Sequence, residues 1–382
     1  MMPELVHVVI VGGGYAGVMA ANRLAGSRAA PAVEVTLVDP GPQFSERIRL
    51  HQVGAGIRDT AGVDWAEVLH PRVRRLAARA ARIDSPDRVV VLEGEAQEPV
   101  PFDWLVCAVG SGEQTTPLLS VTNRGAAETT RETITALPPG AAVTVAGAGP
   151  TGVELACAVA TSRPDLVITV VAPGGGARPL TGRPGVGRRL RRLGICVEDG
   201  TVDPASGAIT PAGGVPRPAA PATLWTVGLA VPSLAADSGL PVTEDGRLRV
   251  DATLTVPGHE RIIGAGDAVA VADPAGAHLR ASCAAAIPLG AHAAGTVLAR
   301  LAGTAPSVID IGYLVQALDL GAGHGHAQVV RPDDVTRPWA LTGRAGGWAK
   351  EQVCRMTVGW LAKEARRPGS YTWPSGPAVS LR

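Results

Sequence analysis

Gly12, Gly14 and Gly17 are spaced as G-x-G-x-x-G, and Asp39 stands 22 positions after the last of them. Each part has a chemical task. The first glycine permits a tight turn, the second lets a pyrophosphate approach the backbone, and the third lets helix and strand pack closely. Helix N–H groups and the helix dipole then hold the phosphate charge. A carboxylate at Asp39 can accept both hydroxyls of a ribose. Gly147, Gly149 and Gly152 repeat the spacing, with Glu154 two positions on. No acid follows the second copy at the matching place, where Val170-Val171-Ala172-Pro173 stands. Arg178, Arg183, Arg188 and Arg189 come shortly after and could meet a 2′-phosphate. Each of them reads equally well as part of a solvated basic loop, so NADPH and NADH both stay open, with the balance tipped towards NADPH.

Such turns work only between a strand and a helix. His7-Val8-Val9-Ile10-Val11 is a short β-branched run of the kind found in a buried parallel strand. The stretch 18–24 is helical in composition, and 33–38 is a second strand ending at Asp39. Residues 143–146, 153–161 and 166–171 repeat the unit around the second turn. Two copies of one supersecondary unit imply two nucleotide-binding lobes. Further strands end at glycine corners in 102–110, 222–228 and 261–267.

The chain has 382 residues, enough for two or three domains. With 35 Lys+Arg against 34 Asp+Glu, it lacks the basic excess that nucleic-acid binding requires. Its apolar fraction of 46% excludes a disordered chain. Cys107, Cys157, Cys196, Cys283 and Cys354 share no C-x-x-C spacing, so they read as reduced thiols and not as disulfides or a zinc site. No basic stretch precedes an apolar run at the N-terminus, so no secretory signal is expected. Residues 281–299 carry no formal charge and are long enough to span a membrane, but their Ala, Gly, Ser and Thr content suits a buried helix better. From about Ala302 the character changes. Residues 347–367 predict a helix with Trp348, Val353, Trp360 and Leu361 on one side and Lys350, Arg355, Lys363 and Arg366 around it. It packs on the first lobe or lies on a membrane surface or dimer partner. The stretch from Arg367 reads as a tail, and 321–326, with His324 and His326, as a loop.

Four motifs in fixed order bring a resemblance into view: 11–17, 105–111, 147–156 and 264–269. The chain resembles the pyridine nucleotide-disulfide oxidoreductase superfamily of flavoproteins over about residues 5–300. Within it, the chain is most similar to type II NADH dehydrogenases and related actinobacterial FAD-dependent oxidoreductases. The resemblance implies an α/β fold of two Rossmann-like domains. The FAD-binding domain would be discontinuous, 1–112 with 258–301, around a nucleotide domain 113–257, with a short C-terminal region 302–382.

The resemblance also implies roles. Gly12, Gly14, Tyr15, Ala16, Gly17 and Asp39 would hold the ADP half of FAD. Arg49, Ala81, Ala108, Val109, Gly110, Gly266 and Asp267 would complete the FAD site, with Ile287 and Pro288 near the flavin ring edge. The helix after Asp267 would aim its N-terminus at the flavin C2 carbonyl. Gly147, Gly149, Pro150, Thr151, Gly152, Arg178 and Gly228 would bind NADPH or NADH. Glu154 would lie near the nicotinamide, with a helix-dipole role as its plainer reading. His51 is either a proton donor or a helix-face histidine, and Cys283 either faces the flavin or, as the favoured reading, is a buried inert thiol.

Absences narrow the reaction. No redox cysteine pair and no cysteine near Phe44-Ser45-Glu46 is present, which removes the disulfide reductases, single-cysteine peroxidases and coenzyme A disulfide reductases of this fold. The stretch 284–290 lacks the glutamine usual in a respiratory quinone site. The expected protein is a cytoplasmic or peripherally membrane-bound FAD enzyme. It would take hydride from NAD(P)H and pass electrons to a quinone-like or other small acceptor. A ferredoxin-type reductase and a slow redox sensor like the apoptosis-inducing factor branch are the rival readings, and the oligomeric state is open.

Overall fold

The apolar, β-branched run Val6–Val11 forms the first strand, and four of its residues are almost wholly inaccessible. A computed structural model describes residues 5–28, 32–94, 97–112, 115–174 and 178–377, without the side chains of 178, 179 and 184. The first strand pairs in parallel with Val33–Val38 on one side and Trp104–Cys107 on the other. Val73–Leu76 and His259–Gly264 extend the sheet outward in parallel, and Thr255–Val256 closes one edge antiparallel. Residues from 255–264 therefore complete a sheet begun by residues 6–107.

The second sheet repeats the arrangement. Ala142–Ala146 lies between Val167–Ala172 and Ala222–Trp225, with Cys196–Val202 next and Ile209–Pro211 antiparallel at the edge. Both fingerprint strands are thus interior strands whose carboxyl ends face a crevice, the position at which open α/β sheets bind ligands.

The helix Cys283–Leu301 is long and apolar enough to cross a membrane, but 67% of its apolar window is buried inside the protein. It crosses the first helix, Tyr15–Ala25, so closely that a Cβ at Gly290 would collide with the Ala16 carbonyl oxygen. That is the close approach of a core helix.

The C-terminal region departs from expectation. Val315–Asp319, Gly325–Val330 and Thr336–Thr342 form a three-stranded antiparallel sheet, and His326 sits buried on its middle strand. The stretch from Arg367 is docked: Tyr371 is buried, its N–H and that of Gly369 donate to Glu364, and Trp373 Nε1 donates to the Asp310 carbonyl at 2.8 Å. The final helix runs Gly343–Arg366, with Leu361 buried as expected. Trp348, expected on its inner face, is instead 66% exposed, and Lys350, expected outside, points inward.

Candidate active site

Both glycine turns have the same internal geometry. Gly12 and Gly147 each adopt φ +103°, a conformation that a side chain rarely takes. A Cβ at Gly17 would collide with the Gly12 carbonyl oxygen, and one at Gly152 with that of Gly147. Gly14 and Gly149 have open space in front of them. The geometry each glycine role needs is therefore present in both copies. Gly13, only a spacer in the sequence pattern, is also required. Its N–H donates to Asp39 Oδ2 at 2.7 Å, and a Cβ there would meet Asp39 Cγ at 2.8 Å. The Gly41 N–H donates to the other carboxylate oxygen at 2.8 Å. Two backbone donors thus hold Asp39 at the rim of a cavity of about 820 Å³.

That cavity is lined in turn by Asp39, Gly12, Gly14, Tyr15, Ala16, Ala108, Val109, Gly110, Gly266 and Asp267. It reaches the N-terminus of Cys283–Leu301, where Ser282 caps the helix by accepting from the Ala285 N–H at 3.4 Å. Asp267 accepts the Ser282 N–H at 2.9 Å. Burial pushes its carboxyl pKa up, while the Arg47 and Arg280 guanidiniums pull the other way. Cys283 faces the cavity, and burial raises its thiol pKa, which disfavours the reactive thiolate. The open glycine, the helix N-termini and the two carboxylates together fit an FAD.

Four expected residues lie elsewhere. Arg49 does not line the cavity. It forms a two-point ion pair with Glu351 at 2.9 Å and another with Glu46 at 3.2 Å, fastening the C-terminal helix. Arg47, two positions earlier, lines the cavity instead and donates to Ser111 Oγ at 2.7 Å. Ala81 is exposed at an irregular point of the strand Ala80–Asp84, outside the cavity. Ile287 and Pro288 are buried within their helix, while Cys283, Ala284 and Ala286 present its cavity face.

Glu154 and His51 enter a constellation absent from any local motif. Lys350 Nζ lies 2.7 Å from Glu154 Oε1 and donates to the Ala317 carbonyl at 3.2 Å. The Asp319 N–H also donates to Glu154 Oε1, at 2.9 Å. His51 Nε2 lies 3.3 Å from Asp319 Oδ2, and Gln52 Nε2 donates to the same oxygen at 2.7 Å. Glu154, His51 and Lys350 all line the cavity. Burial draws the Lys350 pKa down, but the Glu154 carboxylate more than offsets this and leaves it above the ordinary lysine value. A permanent ammonium therefore faces the cavity, able to hold a developing negative charge or an acceptor oxygen there.

Asp319 shows the mirror case. Burial would raise its pKa, but His51, Gln52 and the Gly321 N–H together hold it well below the ordinary carboxylate range. A depressed carboxyl pKa contributes stability above the unfolded value, about 3.9, and loses it as pH falls towards the folded one. The deficit of Asp319→Asn relative to the parent should therefore be full above about pH 5 and shrink below about pH 4. Urea midpoints across that range check it, and a deficit independent of pH would contradict it.

The second lobe opens onto the same cavity through Pro150, Thr151, Trp225, Thr226 and Gly228. Thr226 Oγ1 donates to the Ala146 carbonyl at 2.6 Å and steadies the turn. Arg178 begins the short helix Arg178–Thr181, and its side chain lies outside the described residues. Arg183 donates to Gln316 Oε1 at 3.0 Å, and Arg189 to the Leu320 and Gly321 carbonyls at 2.9 and 3.0 Å. Arg183 is thus tied to the C-terminal sheet and Arg189 to the turn after its first strand.

Comparison with known proteins agrees with this fold. The profile of the family described as pyridine nucleotide-disulphide oxidoreductase matches residues 6–294. The chain is 29% identical over 358 residues to the NADH dehydrogenase-like protein MT1860 of Mycobacterium tuberculosis (strain CDC 1551 / Oshkosh), covering 83% of this chain and 86% of that protein. It is 28% identical to the ferroptosis suppressor protein 1 of Mus musculus over 173 residues, 44% of this chain and 43% of that one. Among solved structures, NDH2 from Plasmodium falciparum in complex with NADH superposes with a TM-score of 0.76 at 15% identity, covering 97% of this chain and 99% of that one. The sulfide:quinone oxidoreductase from Aquifex aeolicus does so with a TM-score of 0.74 at 16% identity, covering 95% and 93%.

Proposed function

We propose, from the premise that this chain belongs to the pyridine nucleotide-disulphide oxidoreductase family, that it takes hydride from NAD(P)H and delivers electrons to a small quinone-like acceptor. The observation that carries this reading is the shared cavity. The first glycine turn enters it from one side, and Pro150, Thr151 and Gly228 enter from the other. Two dinucleotides held at those turns would meet inside it. In this reading the chain divides as 1–112 with 258–301 for FAD, 113–257 for the nicotinamide nucleotide, and 302–382 as the part that closes the cavity.

Bound FAD supplies the redox chemistry. The chain's own residues bind, orient and polarise. Gly14 and Asp39 would hold the pyrophosphate and ribose. The N-terminus of Cys283–Leu301 would oppose negative charge on the flavin ring. Lys350, fixed by Glu154, would hold an acceptor oxygen, and this favours a carbonyl-bearing acceptor over a disulfide, for which Cys283 has no partner thiol among the described residues that line the cavity. The exposed Trp339, Leu341 and Trp348 of the C-terminal sheet and helix support a weak contact with a membrane surface, where such acceptors dissolve.

Anaerobic addition of NADH or NADPH should bleach the yellow flavin band, and a soluble quinone analogue should restore it faster than ferredoxin or oxygen. Faster restoration by ferredoxin would replace the quinone reading. Gly149→Ala should raise the KM for the nucleotide about tenfold or more with flavin retained, because the methyl fills the open space the pyrophosphate needs. Loss of flavin in that variant would mean the lobes are exchanged.

A further inference from the structure

We propose that Asp199 takes the ribose 2′-hydroxyl of the nicotinamide nucleotide and so selects NADH over NADPH. The assignment rests on the functional reading above. It begins from the repeat. The Gly12 N–H donates to the Val38 carbonyl at 2.9 Å, and the Gly147 N–H donates to the Val171 carbonyl at 2.8 Å. Val38 and Val171 are therefore equivalent, and so are Asp39 and Ala172. Ala172 brings no acid, which is why the sequence alone tipped the balance to NADPH.

The acid comes from the neighbouring strand. Ala172 is paired in parallel register with Asp199, so their side chains lie on one face of the sheet, roughly one strand spacing of 4.8 Å apart. The carboxylate then leans back across that gap. A Cβ at Gly174, two residues after Ala172, would collide with Asp199 Oδ2. The first lobe has the same seat: Gly41, two residues after Asp39, would bring its Cβ to 3.0 Å from Asp39 Oδ1. In both lobes a carboxylate rests against the glycine two positions past these equivalent residues, Asp39 and Ala172. In one it is supplied locally, and in the other by the adjacent strand.

Two of the candidate arginines are engaged elsewhere. Asp199 is exposed, so its oxygens are open to a ligand. Arg183 and Arg189, two of the arginines that could have met a 2′-phosphate, donate instead to the C-terminal sheet and to the turn after its first strand. A 2′-phosphate would face the Asp199 carboxylate and be repelled. A free 2′-hydroxyl would donate to it in a charge-assisted hydrogen bond.

The test uses the oxidised, FAD-loaded protein and measures binding by titration calorimetry with ADP-ribose and with 2′-phospho-ADP-ribose. A charge-assisted hydrogen bond is worth about a tenfold change or more, so the parent should bind ADP-ribose at least about tenfold more tightly. Asp199→Asn should remove most of that preference, and Gly174→Ala, which displaces the carboxylate, should reduce it. Flavin content, set in the other lobe, should stay constant in both. Equal binding of the two ligands by the parent, or an unchanged ratio in Asp199→Asn, overturns the assignment alone. If neither ligand binds and neither NADH nor NADPH bleaches the flavin, the functional reading falls and the assignment falls with it.

Discussion

Gly17→Ala is expected to yield protein that has lost its flavin and much of its stability. The added methyl would collide with the Gly12 carbonyl oxygen. That oxygen belongs to a turn held at φ +103° and itself packed against Ala108, so it has no room to retreat. Either the first helix lifts from the sheet or the turn opens. Overpacking of this kind costs about 1–3 kcal/mol and more where backbone must move. The loss of bound cofactor removes its stabilisation as well. Gly14→Ala separates the two causes. Open space lies in front of Gly14, so that variant should keep its fold and lose flavin affinity only. Flavin stoichiometry and thermal midpoints of the two apoproteins check the pair. A Gly17→Ala protein with full flavin and an unchanged midpoint would show that helix and strand do not depend on that glycine.

Lys350→Met should be the most damaging change among the charged residues. Lys350 and Glu154 are 13% and 10% exposed at the side chain, with 2.7 Å between their charged atoms. Removing the cation leaves a carboxylate in a site that water barely reaches, with only the Asp319 N–H still donating to the shared oxygen. Breaking such a pair costs about 3 kcal/mol, most of it the penalty of the stranded charge. Glu154→Gln combined with Lys350→Met should therefore be more stable than Lys350→Met alone. Denaturant midpoints for the two single variants and the double variant measure the coupling, and losses that simply add would refute it. Because Glu154 holds the lysine pKa above its ordinary value, the ammonium persists through neutral pH. On the alkaline side the pair's contribution should be flat there and fade as pH rises past the lysine range.

Much of the site was legible in the sequence because it is written in contiguous residues. A β-branched run, a glycine turn and a helix form one local unit, and the conformational demand at Gly12 and Gly147 is met by those residues themselves. Asp39 and Asp267 could be read for the same reason, since each closely follows a strand whose position the pattern gives. What the tertiary structure alone decided involves partners far apart in the chain. Arg47 lines the cavity and Arg49 does not, because Glu351 on the last helix claims the second guanidinium. Lys350 had looked like part of a solvated helix face until Glu154 turned it inward, and Asp319 meets Glu154 across 165 positions. The acid missing after Ala172 sits on the next strand, where only sheet register brings it near. Periodicity and spacing describe what a segment can do along its own axis. Which face it buries, and which charge it meets there, depends on the segment packed against it, and no local pattern contains that.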